Sequence, residues 1–395
     1  LEGANLKLLA VDTQSLLQKV PEKIKKLENT SQILRQINPV LTELMASKGQ
    51  KHYYLLLQDN LELRPTGGFL QAVASLIVEN GKLIDYQVYS VDELDAKQPG
   101  VVQPPPEVEA YLGEKQLYLR DANWDPDLSL SAKQIAWFLR ESLNQPVDGI
   151  IATNYSQVKE LLGVLGNINL EESSVELTPN NLYSRLETLA FAEKKQTDQK
   201  SIHVQLLKAL INKLIEAQSD QIDRLQEVLL DGFRRQQTSI YLADPQLGGV
   251  FSQLGWTGSL IQPECPARFG GGCYKDYLYQ VEANIGVNKI NQHILSRITH
   301  SIQITPERVE HTRQIKYTNN AQSPSWPLGL YKTYLRFYVN AESIVAGVMV
   351  NKESLESKYI TEYLDHNRKV IGIVVAVPIE SEIEVVVKYY TSHQI

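Results

Sequence analysis

The chain has 395 residues, a formal net charge of −7, 43% hydrophobic residues and 22% charged ones. That composition describes a soluble, core-forming protein with room for roughly two or three domains. It argues against nonspecific nucleic-acid binding, which needs a basic face to displace counterions, and no run approaches the roughly 20 apolar residues of a membrane helix.

The first residues, LEGANLKLLAVDTQ, show neither a start methionine nor a signal peptide. A trimmed chain is therefore expected, one from which a membrane anchor has been removed. Residues 1–50 carry helical periodicity, with Leu6, Leu9, Leu16, Leu17, Val20, Ile24 and Leu27 at three- and four-residue intervals. Pro21 and Pro39 divide them into short helices, whose apolar side packs onto the next domain or serves as a partner-binding stalk.

From 51 to 245 strands and helices alternate. Tyr53–Leu57 reads as a strand, and residues 69–91 as a hairpin turning at Asn80-Gly81. After a proline-rich loop (Gln98 to Pro106) come a helix-like segment and the stretch QLYLRDANWDPD. SLSAKQIAWFLRESLN predicts an amphipathic helix capped by Ser129 or Ser131, VDGIIATN a buried strand, and YSQVKELLGVLG a helix closed by Gly166. Long helices are expected at roughly 180–195 and 199–230. This alternation implies a layered α/β domain with ligands at its strand ends. From 246 to 395 seven apolar stretches at regular spacing predict an antiparallel, sandwich-like β domain.

Two stretches could carry chemistry. QDNLELRPTGGF holds Asp59, Arg64, Thr66, Gly67 and Gly68, and LYLRDANWDPD holds Arg120, Asp121, Asn123, Asp125 and Asp127. Both follow apolar runs, which places both at strand ends on one edge of the sheet. Two arginines there suit phosphate, because a guanidinium offers a planar fork of donors, and glycine lets backbone amides approach anionic oxygens. Nearby carboxylates suit Mg²⁺. The competing reading is a tight turn with a solvated arginine, and WDPD likewise fits an ordinary turn. Cys265 and Cys273 bracket PARFGGG; with no other cysteine and no CxxC spacing, a disulfide worth ~2–3 kcal/mol is favoured over two free thiols. The two cysteines and seven scattered histidines show no zinc-ligand spacing in the sequence, and no G-x-S-x-G elbow, Walker loop or dinucleotide fingerprint is present.

These motifs also carry a resemblance. Gln58-Asp59-Asn60, Glu62 through Phe69 and Arg120-Asp121-Ala122-Asn123-Trp124 are similar to the signatures of an uncharacterised bacterial domain family, and the likeness runs on through LADPQLGGVFSQLGWTGSL and EANIGVNKINQHILSR. Over roughly 50–210 that family distantly resembles the LytR–CpsA–Psr transferases, which move glycopolymers from polyprenyl-linked carriers to the cell wall. The resemblance implies an extracytoplasmic, membrane-anchored envelope protein. Its partners would be a polyprenyl-linked glycan or lipid phosphate and a cell-wall polymer, with no nucleic acid. By the same resemblance Arg64, Arg120 and Asp121 are the catalytic residues. Arg64, Thr66, Gly67, Gly68, Arg120, Asn123 and Lys200 would hold the pyrophosphate, while Asp59 and Asp121 would hold Mg²⁺. Asp125 or Asp127 would orient the acceptor hydroxyl, and LLGVL, WFL and LLKALINKL would line a tunnel for the lipid tail, although such stretches are more often simple core. The sequence departs from the transferases where Pro65-Thr66-Gly67 replaces a metal-binding aspartate, and where Arg185, Lys194, Lys195 and Lys200 imperfectly replace an arginine-rich run. Two further readings stay open: a noncatalytic envelope protein that binds carrier lipid or polymer, and a purely structural scaffold.

Overall fold

The computed structural model describes residues 31, 35, 38, 40–170, 175–193, 201–266 and 273–392, and it has a mixed α/β architecture with several sheets. Most of the helical reading of residues 1–50 lies outside the described residues. A five-stranded sheet is built from β1 (Gln50–Asp59), β2 (Phe69–Glu79), β3 (Lys82–Ser90), β4 (Gly149–Asn154) and β7 (Thr238–Leu242), in the order β3-β2-β1-β4-β7. Central β1 runs parallel to β4 and antiparallel to β2. Alternation along β1 sends Tyr54 and Leu56 into one core and Leu55 and Leu57 into another, as the two-residue period of a strand requires.

Helices cover both faces. Against the Tyr54–Leu56 face pack α1 (Val91–Asp95), α2 (Pro106–Leu112) and α3 (Leu128–Leu143), the last through Ile135, Phe138 and Leu139. Against the other face pack α4 (Tyr155–Leu165), α5 (Leu182–Glu193) and α6 (Ile202–Ile215), followed by α7 (Ser219–Arg234) and, beyond the last strand, α8 (Pro245–Gln253). The hairpin between β2 and β3 turns at Asn80 and Gly81, both with positive φ (49° and 74°), as a type I′ turn demands. Gly166 closes α4 at φ +80°.

Three local expectations need correction. The cap of α3 is Asp127, whose carboxylate accepts from the Ser129 amide; the hydroxyls of Ser129 and Ser131 instead bond Ser259 and the Asp125 carbonyl. The single helix expected over 199–230 is two, because the side chains of Gln218 and Gln221 form a capping box that starts a new helix. The RDANW stretch does not end a strand: Leu119–Asp121 is a single 3₁₀ turn.

In the last third, one sheet runs β13-β12-β16-β10-β9 and the other β14-β15-β11-β8. They comprise β8 (Leu278–Asn284), β9 (Ile294–Ile304), β10 (Arg308–Asn319), β11 (Tyr331–Asn340), β12 (Ile344–Val350), β13 (Glu353–Ser354), β14 (Ile360–Asp365), β15 (Arg368–Val377) and β16 (Ser381–Ser392). Ile315, Val348 and Val387 of the first sheet share one core with Leu335, Phe337 and Ile373 of the second. A short pair, β5 (Ile168–Leu170) with β6 (Val175–Leu177), stands apart. Cys265 and Cys273 form a disulfide with their Cα atoms 5.8 Å apart. Among the described residues no helix is long and apolar enough to cross a membrane.

Candidate functional site

The loop after β1 begins with a β-turn. The Gly67 amide donates to the Arg64 carbonyl at 2.9 Å, with Pro65 in the second position, where its fixed φ is favoured. Gly68 follows at φ +153°, and a Cβ there would lie 2.5 Å from the Asp59 carbonyl carbon, so the close approach admits only glycine. The chain thus folds back onto the end of its own strand, and the Phe69 amide closes the loop on the Glu62 carbonyl at 2.9 Å.

This turn meets the RDANW stretch directly. Asn123 donates from Nδ2 to Thr66 Oγ1 at 2.9 Å and to the Gly68 carbonyl at 2.8 Å, and Gln58 donates to the same Thr66 oxygen at 2.7 Å. Arg64 Nε reaches Asp121 Oδ1 at 3.3 Å. The two motifs, separated by more than fifty residues in sequence, form one polar cluster (|i−j| of 57 for both Arg64–Asp121 and Thr66–Asn123).

The charges in that cluster are answered from within the protein. Arg64 is only 2% exposed. Its remaining donors go to the Asn284 carbonyl at 2.7 Å, Glu62 Oε1 at 3.1 Å and the Leu63 carbonyl at 3.4 Å, and its guanidinium lies 5.0 Å from the centre of the Phe69 ring. It is neither a solvated arginine nor, as placed, an open anion fork. Asp59 is fully buried and forms an ion pair with Lys289; it also accepts from the Leu61 amide at 2.9 Å and Gln71 Nε2 at 3.2 Å. Burial pushes the Glu62 carboxyl up, against the pull of Arg64. Glu62, Asp59 and Asp121 face Arg64 and Lys289 at ion-pair distance, so each buried charge finds its partner within the protein, which limits the desolvation penalty.

Arg120 is the more accessible arginine, with its side chain 27% exposed. It donates to Asp95 at 3.2 Å and Glu114 at 3.2 Å, lies 3.9 Å from Asp121 and covers the Tyr118 ring at 4.1 Å. Burial raises Asp95 to about 6, partly offset by Arg120 and by the Leu119 amide, which donates at 2.7 Å. Lys194, Lys195 and Lys200 lie outside the described residues, and Arg185 is exposed on α5.

These contacts revise several expectations. The Gly67 amide is spent in the turn, so it is not aimed at a phosphate oxygen. Asp59 and Asp121 do not fit Mg²⁺ as they stand: Lys289 occupies the cation's place at one, and Arg64 and Arg120 flank the other. The apolar stretches Leu161–Leu165, Trp137–Leu139 and Leu206–Leu214 supply Leu161, Leu162, Leu165, Phe138, Leu139, Leu206, Leu207, Leu210 and Ile211 to the two cores flanking the sheet, the commoner of their two readings.

Residues that sequence reasoning missed come from the far end of the chain. Asn284 donates from its amide to the Leu63 carbonyl, and Asn291 both accepts from the Leu63 amide and donates from its own amide to the Leu61 carbonyl. With Lys289 they hold the RPTGGF loop from the end of β8 and the segment after it. The available signal was the polar density of NIGVNKIN between two apolar strands. The RDANW loop is held in the same way, since Arg336 of β11 donates to the Trp124 carbonyl at 3.0 Å. His366, between β14 and β15, hydrogen-bonds Asp125 at 2.9 Å, which raises the pKa of its ring.

Two cavities lie elsewhere. One, of about 710 Å³, is lined by Tyr86 and Tyr89 of β3, Asn169, and Gln205, Lys208 and Asn212 of α6. The other, of about 600 Å³, lies along residues 255–264 and the start of β8. Neither is lined by Asp59, Arg64, Arg120 or Asp121.

Partial likenesses to solved structures exist. The Bacillus subtilis protein TagV is 11% identical, with a TM-score of 0.29, over 53% of this chain and 81% of its own. Protein gbs0355 of Streptococcus agalactiae is 11% identical, with a TM-score of 0.31, over 56% and 76%. The transcriptional regulator yvhJ of Bacillus subtilis is 12% identical, with a TM-score of 0.29, over 51% and 76%. At this level no residue role passes from them to this chain. No curated protein matches it. Residues 48–191, the stretch that contains both the RPTGGF and the RDANW motifs, match the family model described as a protein of unknown function (DUF4012), in keeping with the resemblance to an uncharacterised domain family read from those motifs.

Proposed function

We propose that this chain is an extracytoplasmic cell-envelope protein that binds an envelope glycan or its polyprenyl-phosphate carrier without transferring it. One observation carries the noncatalytic reading: the groups that phosphoryl transfer would need free are neutralised by the protein itself. Transfer of a phosphoryl-linked glycan relies on positioned cations at the phosphate oxygens. Here Lys289 pairs with Asp59, and Arg64 is shared among Glu62, Asp121 and the Asn284 carbonyl.

Support for the envelope comes from the motif resemblance and from the Cys265–Cys273 disulfide, a bond that persists in oxidising compartments. Support for a glycan comes from the 710 Å³ groove. Tyr86 and Tyr89 offer ring surfaces to a sugar face, Asn169 and the amide nitrogen of Asn212, whose Oδ1 accepts from the Tyr86 hydroxyl, face the groove beside them, and exposed Lys208 offers a cation to a phosphate substituent.

The test is incubation with a polyprenyl diphosphate and with cell-wall glycan fragments, with and without Mg²⁺, following both binding and phosphate release. Binding without release, weakened by Tyr86→Ala and Lys208→Ala, is the expected result. Mg²⁺-dependent release that disappears in Arg120→Ala would overturn this reading in favour of transfer at the motif cluster.

A further inference from the structure

We infer that Asp125, Asp365 and His366 form a binding site for a divalent transition cation of the Zn²⁺ type, bridging the RDANW loop and the tip of the β14–β15 hairpin. The site is separate from Asp59 and Asp121 and from both cavities. Among the described residues these are the three histidine or carboxylate side chains whose ligand atoms gather within 4.8 Å of one another.

The spacing has a specific meaning. Four ligands placed about 2.0–2.1 Å from a zinc ion at tetrahedral angles stand about 3.3 Å from each other. His366 Nε2 lies 2.9 and 3.1 Å from the two oxygens of Asp125 and 3.5 Å from Asp365 Oδ2, which brackets that edge length. One imidazole with two carboxylates selects a borderline ion such as Zn²⁺ over Mg²⁺, which prefers oxygen alone. Metal binding would replace the hydrogen bond that His366 Nε2 now makes to Asp125.

Access and support are both present. The side chains of Asp125 and Asp365 are 32% and 34% exposed while that of His366 is 12% exposed, so an ion can enter from solvent onto a ring held by its surroundings. The Tyr338 hydroxyl donates to Asp365 Oδ2 at 3.0 Å, the outer-shell hydrogen bond that orients a ligating carboxylate. The Asp127 amide donates to Asp125 Oδ1 at 2.8 Å and fixes the other. His366 and Asn367 sit at φ +52° and +56°, so the ring projects from a two-residue turn whose conformation is independent of the metal.

The experiment is calorimetric titration of the whole chain with ZnCl₂, with circular dichroism to check that each variant folds. One site is expected in the native protein. His366→Asn keeps a residue that tolerates the left-handed turn but removes the imidazole, and Asp365→Asn removes a carboxylate. Each should weaken Zn²⁺ by more than about 100-fold, and Tyr338→Phe, which touches only a ligand, by roughly 10-fold. His300→Ala should leave the titration unchanged. Absence of a zinc site in the native chain would reduce the cluster to an ion pair, and a site that survives His366→Asn would place the metal elsewhere. Displacement of Zn²⁺ by equimolar Mg²⁺ would refute the nitrogen-bearing assignment.

Discussion

Lys289→Met would remove the cation from a deeply buried ion pair of the motif cluster, with side chains only 6% and 0% exposed. Deleting one partner of such a pair strands the other charge and costs about 3–5 kcal/mol. Asp59 keeps hydrogen bonds from the Leu61 amide and Gln71, which soften the loss, so the lower end of about 3 kcal/mol is expected. Methionine fills nearly the same volume, so little of the cost should come from a cavity. Urea unfolding of the native chain, Lys289→Met, Asp59→Asn and the double variant, followed by circular dichroism, measures the coupling as a double-mutant cycle. The double variant should recover a large part of the single-variant loss, because no uncompensated charge remains. A cost below about 1 kcal/mol for Lys289→Met, or strict additivity of the two changes, would refute the view that Lys289 stands where a metal was expected.

Further tests address other parts of the fold. Burial lowers the His203 ring from its ordinary value of 6.5 to about 3, so the folded state holds it neutral while the unfolded chain protonates it. Stability should therefore be fully present above about pH 6.5 and fall as pH drops toward 3, and His203→Gln should flatten that slope in urea midpoints taken at several pH values. Gly68→Ala should prevent the RPTGGF loop from closing, because its Cβ would meet the Asp59 backbone at 2.5 Å, at an expected cost above about 4 kcal/mol. Gly113→Ala, with φ +74° but nothing within 4 Å, should cost roughly 1–2 kcal/mol when both glycine variants are compared by urea unfolding. Reduction of Cys265–Cys273 should lower stability by about 2–3 kcal/mol at most, readable as a shift in urea midpoint with and without reductant.

Legibility followed the range of the interactions. Local signals were readable: the apolar run Tyr53–Leu57 became the central strand, Asn80-Gly81 turned its hairpin, and Gly166 ended its helix. The Asp127 cap was missed because Ser129 and Ser131 are equally good caps in isolation, and only the position of the first turn decides among them. β7 and β14 were missed for a different reason. Thr238–Leu242 is five residues long and pairs antiparallel with β4, which lies far back in the sequence, and Thr361, Glu362 and Asp365 interrupt the apolar residues of Ile360–Asp365. At the site, both motifs were visible as motifs, and they meet through Thr66 and Asn123 although only the first follows a strand. Their electrostatic state was not visible. Whether Arg64 faces a ligand or a carboxylate depends on Asn284 and Lys289, more than two hundred residues away, and no local pattern encodes that partner.

The 230-residue separation between Asp59 and Lys289 sets an order of events during synthesis. At about 5–20 residues per second, the cation emerges on the order of ten to fifty seconds after the carboxylate it neutralises. The strands of the first sheet are complete at Leu242, well before that. The nascent sheet must therefore wait with the end of its central strand open to water, and it can dry only when the segment after β8 arrives. A chain cut near residue 245 would hold all five strands of that sheet and still lack the counter-charge for its central one. The last third thus acts as the closing step in the folding of the first.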